Sequence, residues 1–396
     1  MKATVVITCS SGIESLLANE LLNLGVECNI FCQGVVISCK PVTELQMMKL
    51  IMGSRLAHGV GWMIFASDVV SELQAITEVI SALDLSLPVY RPAASFGVKA
   101  RRSGSHSFNS VELAAAVAMG LGKAWSHAGI SGIKGSLKDP DFYVQVTMEN
   151  DRLVVASMMT GEPCGHRLKP VFHHPASLDP TLAAAMITLL SPADAVTLVD
   201  PMCGGGTILW EAARMGRGLP PLLVCDEKLP LTRQTWFDDS MYQKWRELRI
   251  ACERSVQRCK WKISGIETDA DIALGAYENL RQFGVSEDVH IHVGDGSMLE
   301  GLENEKIDLI VVNPPYGVRM LNPQQSDRLC RRMADSAMER GVVHVLAISQ
   351  RKGPLTRAFQ GAGYQIQELK QVRFGEMIAF ICCFCLDKKY VHNSCI

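Results

Sequence analysis

The chain lacks the signatures that most quickly place a sequence. Its 39 Lys and Arg against 41 Asp and Glu leave a formal net charge of −2. No global basic surface therefore marks a simple nucleic-acid-binding module, and any such partner has to be held by local patches. There is no Gly-Lys-Ser/Thr phosphate loop. A dinucleotide-binding fingerprint is missing too, because the third small residue it requires falls on Leu209. No paired zinc spacing occurs, and no carboxylate or cysteine pattern completes a site around His166, His173 and His174, so no metal is expected. The apolar start Ala3–Ile7 is broken by Ser10, Ser11, Gly12 and Glu14 before a signal peptide or membrane span can form. The 14 cysteines lie in apolar segments such as Ile381–Cys385 and read as buried, reduced thiols, which points to a cytoplasmic setting.

What is present suffices for two or three domains: 396 residues with 48% hydrophobic content. The first part reads as α+β in small units. A strand over 3–8 leads to a helix carrying Ile13, Leu16, Leu17, Leu21 and Leu22, and further strands and helices follow to a Pro-rich break at 87–92. Ser95 to Gly104 is a strand running into a basic turn with Lys99, Arg101 and Arg102, followed by an Ala-rich helix, Phe108 to Trp125. Basic residues before a helix N-terminus suit phosphates or merely solvent; both readings stay open. A strand pair turns at Glu149-Asn150-Asp151. The polar, proline-punctuated stretch to residue 176, with Arg167 and Lys169, reads as a linker.

From Thr181 the pattern alternates helix and strand, the mark of a parallel sheet. The strand Ala195–Val199 ends at Asp200-Pro201-Met202-Cys203-Gly204-Gly205-Gly206-Thr207, which opens a helix. Glycines at a first strand's carboxyl end let backbone approach a ligand, and the acid before them suits an ammonium such as the methionyl end of S-adenosylmethionine. Asp200, Met202, Cys203, Gly204, Gly206 and Thr207 are therefore candidate cofactor contacts. The second strand ends in Glu267, placed for ribose hydroxyls, and the third at Asp295-Gly296, placed for an adenine amino group. Helix N-capping is the commoner use of each such acid taken singly. The buried run Ile307–Val312 ends at Asn313-Pro314-Pro315-Tyr316-Gly317, which offers an amide, carbonyls and a ring for gripping a planar amine. An insertion over 216–260 interleaves Trp236, Phe237, Tyr242 and Trp245 with bases. It reads either as a stacking clamp for RNA or as an amphipathic helix packed on the sheet.

Together, Asp200–Thr207 and Asn313–Gly317 resemble the THUMP-domain guanine-N2 RNA methyltransferases. Gly12-Ile13-Glu14, Gly34-Val35-Val36, Ser54–Ala57 and Phe96–Ser107 are similar to that family's N-terminal segments. The resemblance covers nearly the whole chain. It implies a Rossmann-like, seven-stranded class I methyltransferase domain over 177–390, preceded by a ferredoxin-like region (1–60), a THUMP RNA-binding domain (61–162) and a linker (163–176). It is nearest to the bacterial enzyme acting on 23S rRNA, whose fused second methyltransferase is not found in this chain, and a similar layout occurs in tRNA guanine-N2 enzymes. The implied donor is S-adenosylmethionine and the implied partner RNA. Asn313, Pro314, Pro315 and Tyr316 would be catalytic, Asn313 also lining the cofactor, while Lys99, Arg101, Arg102, Arg167 and Lys169 would contact RNA. Three departures stand out: Glu267 and Asp179 replace the family's usual residues, and Arg167-Leu168-Lys169-Pro170 keeps only the first basic position of its linker motif. Adenine-N6 methylation and a non-catalytic RNA-binding or assembly role are the rival readings.

Overall fold

The computed structural model describes residues 2–70, 72–160, 169–190, 196–221, 229–315, 323–374 and 377–387. The chain divides into two compact units: Met1–Cys9, Leu17–Arg167 and Cys225–Cys252 form one, and Ser10–Leu16, Leu168–Val224 and Glu253–Ile396 the other. Among the described residues no helix is long and apolar enough to cross a membrane.

The first unit carries strands β1 (Lys2–Ala3), β2 (Val5–Thr8), β3 (Cys28–Cys32), β4 (Val35–Ser38), β5 (Val42–Thr43), β6 (Gly59–Ser67), β7 (Ser95–Ser103), β8 (Lys134–Gly135), β9 (Phe142–Glu149) and β10 (Arg152–Met158). Eight of them form one sheet in the order β3-β4-β2-β6-β10-β9-β7-β8. The sheet runs without a break past residue 60, where the ferredoxin-like and THUMP regions were expected to divide. In β9 every second residue is buried, so Phe142, Val144, Val146 and Met148 share one face. They pack into a core with Ile76 and Ile80 of α3 (Leu73–Ser81) and Leu113, Val117 and Leu121 of α4 (Ser110–His127). The helix α4 starts where a capping box satisfies its first amides, Asn109 accepting from Val111 and Glu112 N–H and Glu112 from Asn109 N–H. Two further helices are α1 (Glu14–Asn23), which belongs to this unit from Leu17 on, and α2 (Glu44–Gly53).

The second unit runs α5 (Pro180–Leu190), β11 (Thr197–Asp200), α6 (Thr207–Gly216), β12 (Lys262–Glu267), α8 (Ala270–Gln282), β13 (Val289–Val293), β14 (Leu309–Val312), α9 (Pro323–Glu339), β15 (His344–Ser349), α10 (Lys352–Gly361), β16 (Tyr364–Phe374) and β17 (Met377–Leu386), while α7 (Asp239–Arg254), in the insertion, falls in the first unit up to Cys252. The seven strands order as β13-β12-β11-β14-β15-β17-β16, with β17 antiparallel to both neighbours and the rest parallel. The seven-stranded sheet expected from the sequence is thus present. All four residues of β14 are buried, as a central strand covered on both faces requires. No helix was expected between Gly317 and Val342, yet α9 lies there. Its signal was present but weak: Cys330, Met333, Ala334 and Ala337, small or unbranched, recur at i, i+3, i+4 and i+7 and are buried.

The insertion's middle belongs to the first unit. Trp236 meets Trp62 edge-on at 6.1 Å, Leu231 N–H donates to the Met159 carbonyl, and Gln234 Nε2 donates to the Asp141 carbonyl. Trp236 and Trp245 are buried, which leaves Tyr242 as its exposed ring and Phe237 half-covered.

Candidate active site

In the second unit the ends of four adjacent parallel strands carry the residues singled out by the sequence. Across the sheet come Asp295 after β13, Glu267 at β12, Asp200 at β11 and Asn313 after β14. Several bonds tie these ends into one site. Gly204 N–H donates to Glu267 Oε2 (3.0 Å), Cys203 N–H to the Ile266 carbonyl (3.0 Å) and Gly294 N–H to the Glu267 carbonyl (3.0 Å). Gly204 and Gly206 take left-handed conformations (φ 50° and 84°) that bend the loop into α6, where Thr207 is the first helical residue. Gly296 closes the site from the third strand: a Cβ there would overlap the Pro201 carbonyl oxygen, so no other residue permits this approach.

The acids are used differently from one another. Asp295 does cap, accepting from Ser297 N–H (2.9 Å) and Oγ (2.6 Å) at a short 3-10 turn, and it pairs with Arg332 at 3.1 Å. Glu267 is no helix cap: α8 is capped by Asp269, which accepts from Asp271 and Ile272 N–H. Glu267 instead holds the glycine loop with Oε2, while Oε1 accepts from Asp269 N–H (3.1 Å) and Thr268 Oγ1 (3.2 Å). Asp200 is buried, and the one hydrogen bond seen to its carboxyl among the described residues is from Met202 N–H (3.1 Å). Burial, with the Glu267 charge adding, pushes its pKa up to about 8 against the pull of that amide. The Cys203 thiol is likewise driven well up by burial and the same two carboxyls, and is an inert, packed sulfur.

Asn313 carries the site's most informative atom. Its Nδ2 donates to the Ala176 carbonyl (3.2 Å), which fixes the amide plane, while its Oδ1 is buried with no partner among the described residues. A buried, unsatisfied acceptor is costly and rare in a native fold, and is the kind of group a ligand N–H completes. Pro314 is buried and Pro315 half-buried beside it. Tyr316 and Arg167 lie outside the described residues; Lys169 is exposed.

The residues present fit S-adenosylmethionine. A buried carboxyl before a glycine loop matches an ammonium, the second strand-end acid matches a diol, and the free acceptor stands at the fourth strand end. Sequence reading missed Asn279 of α8, which is fully buried and hydrogen-bonds both the Gly205 carbonyl and Phe172 of the linker. It also passed over Ala176, whose carbonyl is invisible to any side-chain pattern. Asp179, the departure noted in the sequence, accepts from Thr181 N–H (2.7 Å) and Oγ1 (2.6 Å) at the start of α5, a capping use.

The basic candidates lie in the first unit. Alternation along β7 places Lys99 and Arg101 on one face and Arg102 on the other. Lys99 and Arg101 are exposed and line a recess of about 720 Å³ together with His58, Tyr143, Gln145 and the small residues of α4. Lys99 Nζ stands 5.6 Å over the Tyr143 ring. Arg102 is instead half-buried and engaged with His106 at 3.4 Å.

Comparison with known proteins agrees with the fold. A family model described as RMKL-like, methyltransferase domain matches residues 167–379, and one described as RlmL ferredoxin-like domain matches 4–60. A tRNA (guanine(6)-N2)-methyltransferase of Methanocaldococcus jannaschii is 28% identical, covering 72% of this chain and 74% of that protein. The ribosomal RNA large subunit methyltransferase K/L of Vibrio campbellii is 27% identical over 78% of this chain but 43% of its own length. Among solved structures, SMU.472, a putative methyltransferase complexed with SAH, superposes with a TM-score of 0.80 at 21% identity, covering 98% of this chain and 99% of that one. TrmN from Thermus thermophilus gives 0.71 at 21% identity, covering 97% and 99%. The chain belongs to the RMKL-like family of S-adenosylmethionine-dependent methyltransferases, here joined to an RlmL-type ferredoxin-like domain.

Proposed function

We propose that this enzyme methylates the exocyclic N2 of a guanine in structured RNA, with 23S ribosomal RNA as the substrate. The observation that carries the reading is the buried Oδ1 of Asn313 at the end of β14, which has no partner among the described residues. S-adenosylmethionine supplies an electrophilic methyl group. Guanine N2 is a poor nucleophile because its lone pair is delocalised into the ring. Asn313 Oδ1 and the Pro314 carbonyl accept its two hydrogens, which makes the nitrogen more tetrahedral and turns its lone pair towards the donor. The new N–C bond forms as the sulfonium C–S bond breaks, one proton passes from N2 to solvent, and no covalent protein intermediate arises. Alignment of this kind supplies most of the rate. Tyr316 is the ring for stacking on the unpaired base.

A tRNA substrate is the second reading, favoured by the fuller coverage of the Methanocaldococcus jannaschii relative. Nucleoside mass spectrometry of rRNA and tRNA fractions from a strain lacking the gene separates the two. The expected result is loss of one N2-methylguanine from 23S rRNA. Loss confined to tRNA moves the substrate to the second reading, while loss of N6-methyladenine, or no loss of any methylated nucleoside, overturns the chemistry.

Lys99 and Arg101 hold RNA phosphates in this reading. Replacing both by Ala is expected to lower RNA affinity and to reduce the slope of log K against log salt by roughly 1.5, as for two lost phosphate contacts. Arg102→Ala, on the opposite face and bonded to His106, is expected to change that slope little. A filter-binding series across salt concentrations reads both.

A further inference from the structure

The linker's end, residues 172–177, docks onto the second unit at a seat built from α8. Asn279 is fully buried, and it grips Phe172 by both backbone groups: Phe172 N–H donates to Oδ1 (2.9 Å), and Nδ2 donates to the Phe172 carbonyl (3.0 Å). The same Nδ2 donates to the Gly205 carbonyl (2.9 Å), so one side chain joins the segment to the glycine loop. One turn earlier on α8, Gly275 makes room for the Phe172 ring; a methyl group there would overlap its carbons. Two residues on, His174 rests against Gly204 and Gly205, and its Nδ1 accepts from Ala176 N–H (3.3 Å). The Ala176 carbonyl then accepts from Asn313 Nδ2 (3.2 Å).

This chain of contacts has a defined end. Asn313's amide has two ends that differ only in what they bond, and the Ala176 carbonyl decides which is turned inward. With Nδ2 held, Oδ1 is left as a buried acceptor with no partner among the described residues. We propose that Asn279 and Gly275 are positioning residues of the methyl-transfer reaction: they fix segment 172–177 so that the Ala176 carbonyl presents Asn313 Oδ1 to the substrate amine. The role rests on the guanine-N2 reading given above. Because Asn279 also reaches Gly205, it ties the placement of the acceptor to the loop that holds the donor.

The test uses the full chain with RNA extracted from a strain lacking the gene, tritiated S-adenosylmethionine for single-turnover transfer, and S-adenosylhomocysteine titration for the cofactor site. Gly275→Ala leaves the Gly205 bond in place and substitutes a better helix former, so α8 itself keeps its structure. It is expected to lower kcat on the order of 10- to 100-fold at saturating donor, as misplacement of a reacting group by about 1 Å does, with S-adenosylhomocysteine affinity and Tm near the parent's. Asn279→Ala is expected to lose at least as much kcat and to weaken S-adenosylhomocysteine as well. A merely structural role would lower Tm and leave kcat, measured well below Tm, unchanged. Parental kcat in Gly275→Ala overturns the proposal, whether or not Asn279→Ala folds. If the parent transfers no methyl group to this RNA, the guanine-N2 reading itself falls, and the positioning role with it.

Discussion

Asn313→Ala is expected to lower methyl transfer by about 10³-fold or more while S-adenosylmethionine affinity stays within about threefold of the parent. The reason lies in the two ends of its amide. Nδ2 is satisfied by Ala176, and Oδ1 is buried and unpaired among the described residues. In the free enzyme that orphan acceptor is a cost of roughly 1–3 kcal/mol, so its removal offsets the lost Nδ2 bond to the Ala176 carbonyl even as it removes the group that aligns the amine. Loss of activity should therefore come without loss of Tm. Asn313→Asp sharpens the point, because it keeps an oxygen facing the substrate but sets a second oxygen against the Ala176 carbonyl. If the acceptor alone mattered, Asp would restore the rate. If its orientation matters, Asp should remain at least about tenfold below Asn. Single-turnover transfer and a calorimetric donor titration give both quantities, and an Asn313→Ala enzyme with parental transfer removes Asn313 from the mechanism.

The parts of this site legible in the sequence are those whose signal is local. A short β-branched run closed by two prolines announces both β14 and the loop after it, since burial and strand termination are written in the same residues. The glycine loop after β11 and the acids after β12 and β13 are legible for the same reason, and their order in the chain already implied neighbouring strand ends. What the acids do was not legible. Glu267 bonds an amide 63 residues away, and Asp295 pairs with Arg332 on α9, a helix whose apolar spacing is only weakly marked. Asn279 stands 107 residues from Phe172, and Asn313 137 from Ala176, so neither leaves a spacing to detect. In sequence Asn279 is one polar residue in Glu-Asn-Leu, indistinguishable from a solvated helix position. The insertion shows the converse. Its aromatics invited a stacking role, but Trp236 packs edge-on against Trp62 and Trp245 is buried, and composition alone carries no information about which surface a tryptophan meets.

Asp200→Asn is expected to make the free protein more stable and to abolish donor binding at once. Burial raises the carboxyl's pKa to about 8 in the folded protein, against roughly 3.9 in an unfolded chain. The sign follows from proton counts. Between about pH 4 and pH 8 the folded state holds a proton that the unfolded state has lost, so this group's contribution to stability is complete below about pH 4 and drains away as pH rises towards 8. Asparagine resembles the protonated acid and cannot ionise. The variant should match the parent near pH 4, pull ahead through the window, and reach a plateau above pH 8 that is on the order of several kcal/mol at most. Denaturant unfolding at a series of pH values measures the gap, and a gap that is flat or reversed with pH sinks the argument. The same proton should appear in binding. To hold an ammonium, Asp200 must ionise, so donor binding below about pH 7, where an α-amino group stays charged, should release close to one proton, seen as a dependence of calorimetric heat on buffer ionisation. The parent's affinity should rise up to tenfold per pH unit in that range. With Asp200 as the proposed anchor of the donor's ammonium, that cation would offset the cost of burying the carboxylate, and the stability forgone by the free protein would make the site selective for a positively charged ligand.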